Sequence, residues 1–513
     1  LDITPLHDEM KSCDRWNLFN LLEERIMCKP ICSLLAVGGM MMLLSMPLAA
    51  QEPVTVEAAG LKVILPDTWI FKTDIDHGDY WEPTTDVFGD GTLAVCAGVP
   101  GEDPSGMALP GTMNAKVAFI SPDGTVREYW GFYDDAGNPY IDNFNTKRQT
   151  GNPPRIACDR RPGGVRYIVG QEATPWEFTE FTPDRWTSPF LYDERVSAVQ
   201  LFEKTAAGPK PIIDVIEPLY YGTEGAQGGG HMRFGGDLVF LSNGNFVVVP
   251  EDRTGNTVGG NAAVAAIYNG ETGERITPAF VGTGSGRNRE IWSNVVAFKG
   301  GFMIRASGEL TTFDNSGNVL LSLLQTDLSS VTDVGRADDT RIAGNINHEF
   351  IYLAGENADT EIIVTKINAV TGELVKEVVV TEEYFFDFMD ANGQLPFSRE
   401  NSATDENGNV IITWDATLYG SNPDALARIF NSDLEPLTPT FYVFNNHNSG
   451  AEGDKGIYLH EGDVAMDGNR IVISFNGTFL DPATGNPTPK EHTLVTVIEN
   501  PAKPMAVLDW ELQ

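Results

Sequence analysis

Basic residues are scarce in this chain: 35 Lys and Arg stand against 72 Asp and Glu, a net charge of −37. That deficit argues against nucleic acid or an anionic membrane as a partner, because both attract basic surfaces. An acidic surface keeps a protein soluble and suits a salty exterior. Histidine is almost as rare, 7 in 513 residues. His231, His447 and His460 stand alone, and no His/Cys cluster has zinc spacing. The five cysteines include no Cys-x-x-Cys pair. A Gly-x-Ser-x-Gly elbow, a metal-protease helix and a run of sialidase-type Asp boxes are all missing. No cofactor is expected. The one cation candidate is calcium at Asp74, Asp76 and Asp79 in TDIDHGDYWE, whose oxygens suit a hard ion but lack a complete calcium-loop spacing.

Long apolar runs are also missing, except one. Residues 27–50 read MCKPICSLLAVGGMMMLLSMPLAA: Lys29, an apolar middle, and a small-residue end at Ala49-Ala50. This is the shape of a secretory signal peptide, with cleavage expected after Ala50. Residues 1–26 carry mixed charge without an initiating Met and read as a non-translated or disordered leader. Residues 51–81 read as an N-terminal segment holding one or two extra strands. Beyond the signal only Cys96 and Cys158 remain, and in an exported protein the pair is expected to form a disulfide. The expected address is secreted or at the cell surface, with the periplasm as the other compartment such a signal serves.

What the sequence has in abundance is one phrase repeated. Two hairpin types alternate over residues 82–513. The first is an alternating strand, a Gly- or Asn-rich turn and a strongly apolar strand. TTDVFGDGTLAVCAG, GDLVFLSNGNFVVVP, NSATDENGNVIITW and GDVAMDGNRIVISFNG are examples, and seven copies can be counted. The second follows each of these, as in AKVAFISPDGTVREYW, AVAAIYNGETGERITPAF and ALARIFNSDLEPLTPTF, again seven times. Asp-Gly, Gly-Asn and Thr-Gly supply the positive φ that tight hairpins need. Val, Ile, Phe and Tyr at alternate positions fit a pleated, half-buried surface. Two hairpins make a four-stranded antiparallel sheet. Seven such sheets, apolar on both faces in their middle strands, specify an all-β fold: a seven-bladed β-propeller with four-stranded blades.

DENGNVIITW followed by ALARIFNSDLEPLTPTFYVFNN, residues 401–445, resembles the repeat of secreted bacterial propellers with D-x-x-G-N-x-V-V-x-W hairpins. The other six units match it more weakly. That resemblance implies fold and export, and no activity, since the family has none in common. INAVTGELVKE and YNGETGERITP also look like the turns of quinone-dependent dehydrogenase propellers. Lys376 and Thr277 stand where that pattern has its docking Trp, so no quinone is expected.

In this architecture the turns within hairpins share one face. The longer connections, 98–114, 171–195, 219–234, 281–290, 381–400, 415–424 and 444–460, share the other. Long loops on a rigid scaffold are where binding and catalysis reside. Trp176, Trp186 and Tyr192 in the insertion at 171–195 could stack on a glycan or form the loop's own small core. Charged residues recur just before successive inner strands: Arg289 with Glu290, Asp338 and Asp339 with Arg341, and Arg399 with Glu400. They could grip a polar ligand at the channel mouth or neutralise one another. The expected role is an exported binding or assembly module with a glycan or protein partner at this face. The alternative is an extracellular polysaccharide hydrolase or lyase. Residues 53–71 are surplus to a blade seven ending in AVLDWELQ, so they pack on the same molecule or offer an edge strand for self-association.

Overall fold

The computed structural model describes residues 53–71, 83–134, 136–139, 154–173, 196–215, 237–252, 262–283, 293–331, 342–357, 361–381, 400–416, 424–444, 457–480 and 487–502, apart from isolated positions inside these ranges. Two strands open the chain, β1 (Val54–Thr55) and β2 (Val63–Ile70). Blade one is β3 (Thr84–Val87), β4 (Leu93–Glu102), β5 (Ala108–Ile120) and β6 (Val126–Trp130). Blade two is β7 (Arg155–Cys158), β8 (Arg166–Ala173), β9 (Val196–Thr205) and β10 (Gly208–Pro211). Blade three is β11 (Asp237–Phe240), β12 (Phe246–Val249), its short continuation β13 (Glu251–Asp252), β14 (Ala262–Tyr268) and β15 (Phe280–Thr283).

Blade four is β16 (Ser293–Phe298), β17 (Gly301–Ala306), β18 (Glu309–Asp314) and β19 (Val319–Leu324), followed by the one described helix, the single turn α1 (Gln325–Leu328). Blade five is β20 (Ile342–Gly344), β21 (Phe350–Glu356), β22 (Ile362–Asn368) and β23 (Leu374–Val379). Blade six is β24 (Asn401–Thr404), β25 (Val410–Ala416), β26 (Asp424–Phe430) and β27 (Phe441–Phe444). Blade seven is β28 (Ile457–Met466), β29 (Arg470–Leu480) and β30 (Pro487–Glu499), completed by β2.

The seven sheets form a seven-bladed β-propeller. Seven buried apolar clusters glue consecutive blades together. One of them joins blade seven to blade one, setting Val472, Val495 and Val497 against Val87, Leu93 and Val95. The middle strands are buried on both faces, as in β12, β17 and β25, whose apolar side chains pack against the neighbouring blade on either side. Burying each such Val, Ile or Phe is worth roughly 1.5–3 kcal/mol.

The D-x-x-G-N hairpin has a local cause. Asp405 Oδ1 accepts from the N–H groups of Asn407 and Asn409, both at 2.9 Å, and Oδ2 accepts from Asn409 Nδ2 at 2.7 Å. Gly408 takes φ 82°, which a side chain would oppose. Asp314 repeats the pattern with Ser316 and Asn318. One carboxylate thus satisfies the turn's backbone donors and pins the register of both strands.

Three readings of the sequence change here. Blade seven is not completed by its own C-terminal hairpin: its outer position belongs to β2, antiparallel to β30 from Val63↔Ile498 to Ile70↔Thr493. Residues 53–71 are therefore not spare. β2 ties the first strands of the chain to the last, and β1 adds in parallel to β27 as a fifth strand of blade six. Second, Cys96 and Cys158 form no disulfide; both are free and buried. They sit in the core between blades one and two among Phe88, Phe119 and Tyr167, where each acts as a small hydrophobe. Third, 98–114 is not a loop. β4 and β5 run on as a ladder out to Glu102↔Ala108, with a register shift between Val99 and Gly101 that lets the hairpin continue.

Candidate binding site in the central channel

The innermost strands β3, β7, β11, β16, β20, β24 and β28 converge on the propeller axis. Together they line a cavity of about 120 Å³ to which every blade contributes. Its apolar wall comes from residues such as Ile156, Val239 and Val296, and its polar groups include Thr85, Asp86, Arg155, Arg160, Asn294 and Asp463.

An innermost strand has a free edge, and its N–H and C=O groups need partners. Aspartates supply them from the neighbouring blade. Asp463 Oδ2 of blade seven accepts from Thr85 N–H of blade one at 2.6 Å. Asp86 Oδ2 of blade one accepts from Cys158 N–H of blade two at 2.6 Å. Asp237 Oδ2 of blade three accepts from Val295 N–H of blade four at 3.1 Å. Asparagines donate in the same direction: Asn345 Nδ2 to the Thr404 carbonyl at 3.3 Å, and Asn401 Nδ2 to the Gly462 carbonyl at 2.7 Å. Among the described residues, five of the seven blade junctions at the hub thus carry a side-chain staple.

Asp86 is the most heavily engaged. Besides Cys158 N–H, its Oδ1 accepts from Val87 N–H at 2.8 Å and from Arg160 Nε at 2.7 Å, and it lies 2.6 Å from Arg160 Nη2. Burial, with the Asp86 carboxylate close by, pushes the Cys158 thiol well above its ordinary range. Burial likewise pushes the Cys96 thiol up. Both are poor nucleophiles for that reason. Thr85 Oγ1 is buried in the lining and has no hydrogen-bond partner among the described residues.

Of the residues singled out from the sequence, Glu400 is described: it is buried immediately before β24. His460 falls within β28. Trp176, Trp186, Tyr192, Arg289, Glu290, Asp338, Asp339, Arg341 and Arg399 lie outside the described residues, as do Asp74, Asp76, Asp79, His231 and His447. Among the described residues no group of three His, Cys, Asp or Glu side chains is placed to hold a metal.

The aspartates of the hub escaped the sequence reading. Asp86-Val87, Asp237-Leu238 and Asp463-Val464 share an Asp placed before a buried apolar residue, at or near the start of the first hairpin type. In a chain with 72 acidic residues that signal is easily lost. What the hub can do chemically is recognise hydroxyl, amide or carboxylate groups by hydrogen bonding. Its described carboxylates are tied to backbone N–H groups or to Arg160 rather than set as an opposed acid–base pair.

The fold defines the class, a closed seven-bladed propeller. No protein-family model matches the chain, and no curated protein matches it either. Solved structures do. A protein of unknown function from Dyadobacter fermentans aligns with 12% identity over 86% of this chain and 99% of its own, at a TM-score of 0.40. The β-propeller domain of the Trilobed protease of Pyrococcus furiosus aligns with 9% identity over 83% and 94%, at 0.39. The NanB sialidase of Streptococcus pneumoniae aligns with 12% identity over 85% and 70%, at 0.40. At such identities and TM-scores the likeness carries no argument about this chain, and no activity passes from those proteins to it.

Proposed function

We propose that this chain is an exported binding module that takes a polar ligand, a glycan in the first place, at the mouth of its central channel. The observation that supports this reading is the commitment of the channel carboxylates. Asp86 has both oxygens occupied by Cys158 N–H, Val87 N–H and Arg160, and Asp237 and Asp463 each hold a backbone N–H of the next blade. A hydrolase needs a carboxylate free to give or take a proton beside another that stabilises charge. Here the acids hold the blades together, and the buried Thr85 Oγ1 is left to meet a ligand. The signal-like stretch at 27–50 supports a role at the cell exterior.

A glycan array and a polysaccharide-turnover screen on the same preparation test the reading. Retention of one glycan class without release of shorter products is the expected result. Catalytic turnover that disappears in Asp86→Asn or Asp463→Asn, both still folded, would overturn it.

A further inference from the structure

Seven of the ten large hydrophobic side chains that stand exposed among the described residues lie on the outer rim of blades four and five. Three belong to β19: Val319, Leu320 and Leu324, with 61%, 41% and 50% of their surface open. The other four lie on β23 and the turn before it. Gly372 of that turn sits against the half-buried Leu321 and Leu323 side chains, so the turn of blade five packs on one face of β19 while Leu320 and Leu324 stand on the other.

β19 is also an unfinished edge. Among the described residues it pairs with β18 alone. Gln325 N–H donates to the Gly308 carbonyl at 2.8 Å. By antiparallel alternation the N–H and C=O groups of Leu321 and Leu323 then face β18, and those of Ser322 and Leu324 face outward.

The other outer strands are each protected. β6 carries Arg127 and Glu128, β10 carries Pro209, Lys210 and Pro211, β23 carries Lys376 and Glu377, and β2 carries Pro66 and Asp67. β15 is four residues long and includes Gly282. β27, reading FYVF, has no charge, and the chain covers it with β1. β19, reading VLLSLL over six residues, has no charge, no proline and, among the described residues, no covering strand.

We propose that β19 is a docking edge for an extended segment of another protein, apolar at alternate residues and flanked by Lys or Arg, which joins blade four as a fifth strand. Charge selects this occupant. From residue 306 to residue 335 the chain has no Lys, Arg or His, while Glu309, Asp314, Asp327 and Asp333 fall in that stretch. Glu309 stands opposite Leu324 at one end of β19 and Asp314 lies at the other. A second copy pairing antiparallel would set the Asp314 end of one chain against the Glu309 and Asp327 end of the other, with both chains at −37. Basic flanks turn the same acids into attraction. Backbone ladder bonds would supply affinity, and the apolar rim would accept alternate side chains.

The test uses the chain from residue 51 onward and two synthetic peptides, one alternating Val and Thr between Lys-Lys flanks, the other identical but with Glu-Glu flanks. Titration calorimetry reads affinity, hydrogen exchange reads the Ser322 and Leu324 amides, and light scattering reads mass. The Lys-flanked peptide is expected to bind about tenfold or more tighter than its Glu-flanked twin, with the gap narrowing as salt rises. Those two amides should exchange more slowly in its presence. Ser322→Pro, which removes an outward N–H and no ladder bond, should abolish binding. Leu324→Lys, a change at a half-open surface position, should weaken it without altering the fold. Equal binding of both peptides, no binding of either, or a peptide-free chain of doubled mass that Ser322→Pro returns to monomer would each overturn the proposal.

Discussion

Starting the chain at residue 72 instead of residue 51 should break the ring at its seam. The segment lost contains β1 and β2, and with them Val56, Leu61, Ile70 and Phe71, all buried. Each is worth roughly 1.5–3 kcal/mol of burial, so their removal forfeits about 6–12 kcal/mol before any backbone pairing is counted. The figure is an upper bound because an unfolded chain already shields some of this surface. The truncation also strips β30 of its outer ladder, from Ile498 to Thr493, together with the Glu499 N–H bond to the Lys62 carbonyl at 2.8 Å. A natural domain is stable by about 5–15 kcal/mol in all, so the loss is comparable with the whole. The truncated chain should melt far below its parent or aggregate through the bared β30 edge. Melting, native-state hydrogen exchange of β30 and scattering would follow this. A peptide of residues 53–71 added in trans should restore protection to β30. A truncated chain that melts within about 2 °C of the parent and stays monomeric would refute the assignment of β2 to the closing strand.

Asp86→Ala should cost about 3 kcal/mol, since it strands Cys158 N–H and leaves Arg160 without its carboxylate; for a unit of this size that is about 3 °C of melting temperature. Trp414, fully buried between blades five and six, should cost about 3–5 kcal/mol on replacement by Ala, read as a drop in denaturant midpoint at constant slope. Burial raises the Asp467 carboxyl above its ordinary value of 3.8, so the stability it contributes is complete below that pH and is lost as pH climbs through the raised value. Asp467→Asn should therefore leave the melting temperature unchanged in acid and raise it at neutral pH. Cys96 and Cys158 should resist a thiol reagent in the native chain and react in full on denaturation without reductant; no reaction on denaturation would mean that a disulfide exists after all.

The blades were legible because their information is local. Asp405, Gly408 and Asn409 write a turn within five residues, and the apolar strands beside it follow the same rule. The seam was illegible because it is not local. Val54 meets Phe441 and Val63 meets Ile498, and nothing within either segment names the other. The stretch 98–114 misled for a chemical reason: Gly98, Pro100 and Gly101 advertise a loop, while the register shift between Val99 and Gly101 lets the strands continue. The cysteines misled because a disulfide is the default in a chain expected to be exported, and only tertiary burial shows two core thiols instead. At the hub, the residue types were visible but not their directions. An Asp on an inner strand reads the same whether it faces a ligand or the N–H of the next blade.

That direction matters for what the ring can be. The seam between blades seven and one is closed twice, once at the rim where β2 completes β30 and once at the hub where Asp463 holds Thr85 N–H at 2.6 Å. Rim closure is a ladder between the inner strand β30 and the edge strand β2, so it resists radial opening. Hub closure is one charged bond in a confined lining, so it fixes the tilt of blade one against blade seven. The staples at Asp86, Asp237, Asn345 and Asn401 do the same for other pairs of blades. Apolar interfaces between flat sheets are tolerant of small slips, whereas a side chain bound to one named backbone group is not. The polar hub therefore supplies the positional accuracy that the greasy interfaces lack. On the binding role proposed above, a ligand entering the channel would meet a wall whose spacing is set by these bonds, and its selectivity would follow from the same residues that hold the blades in place.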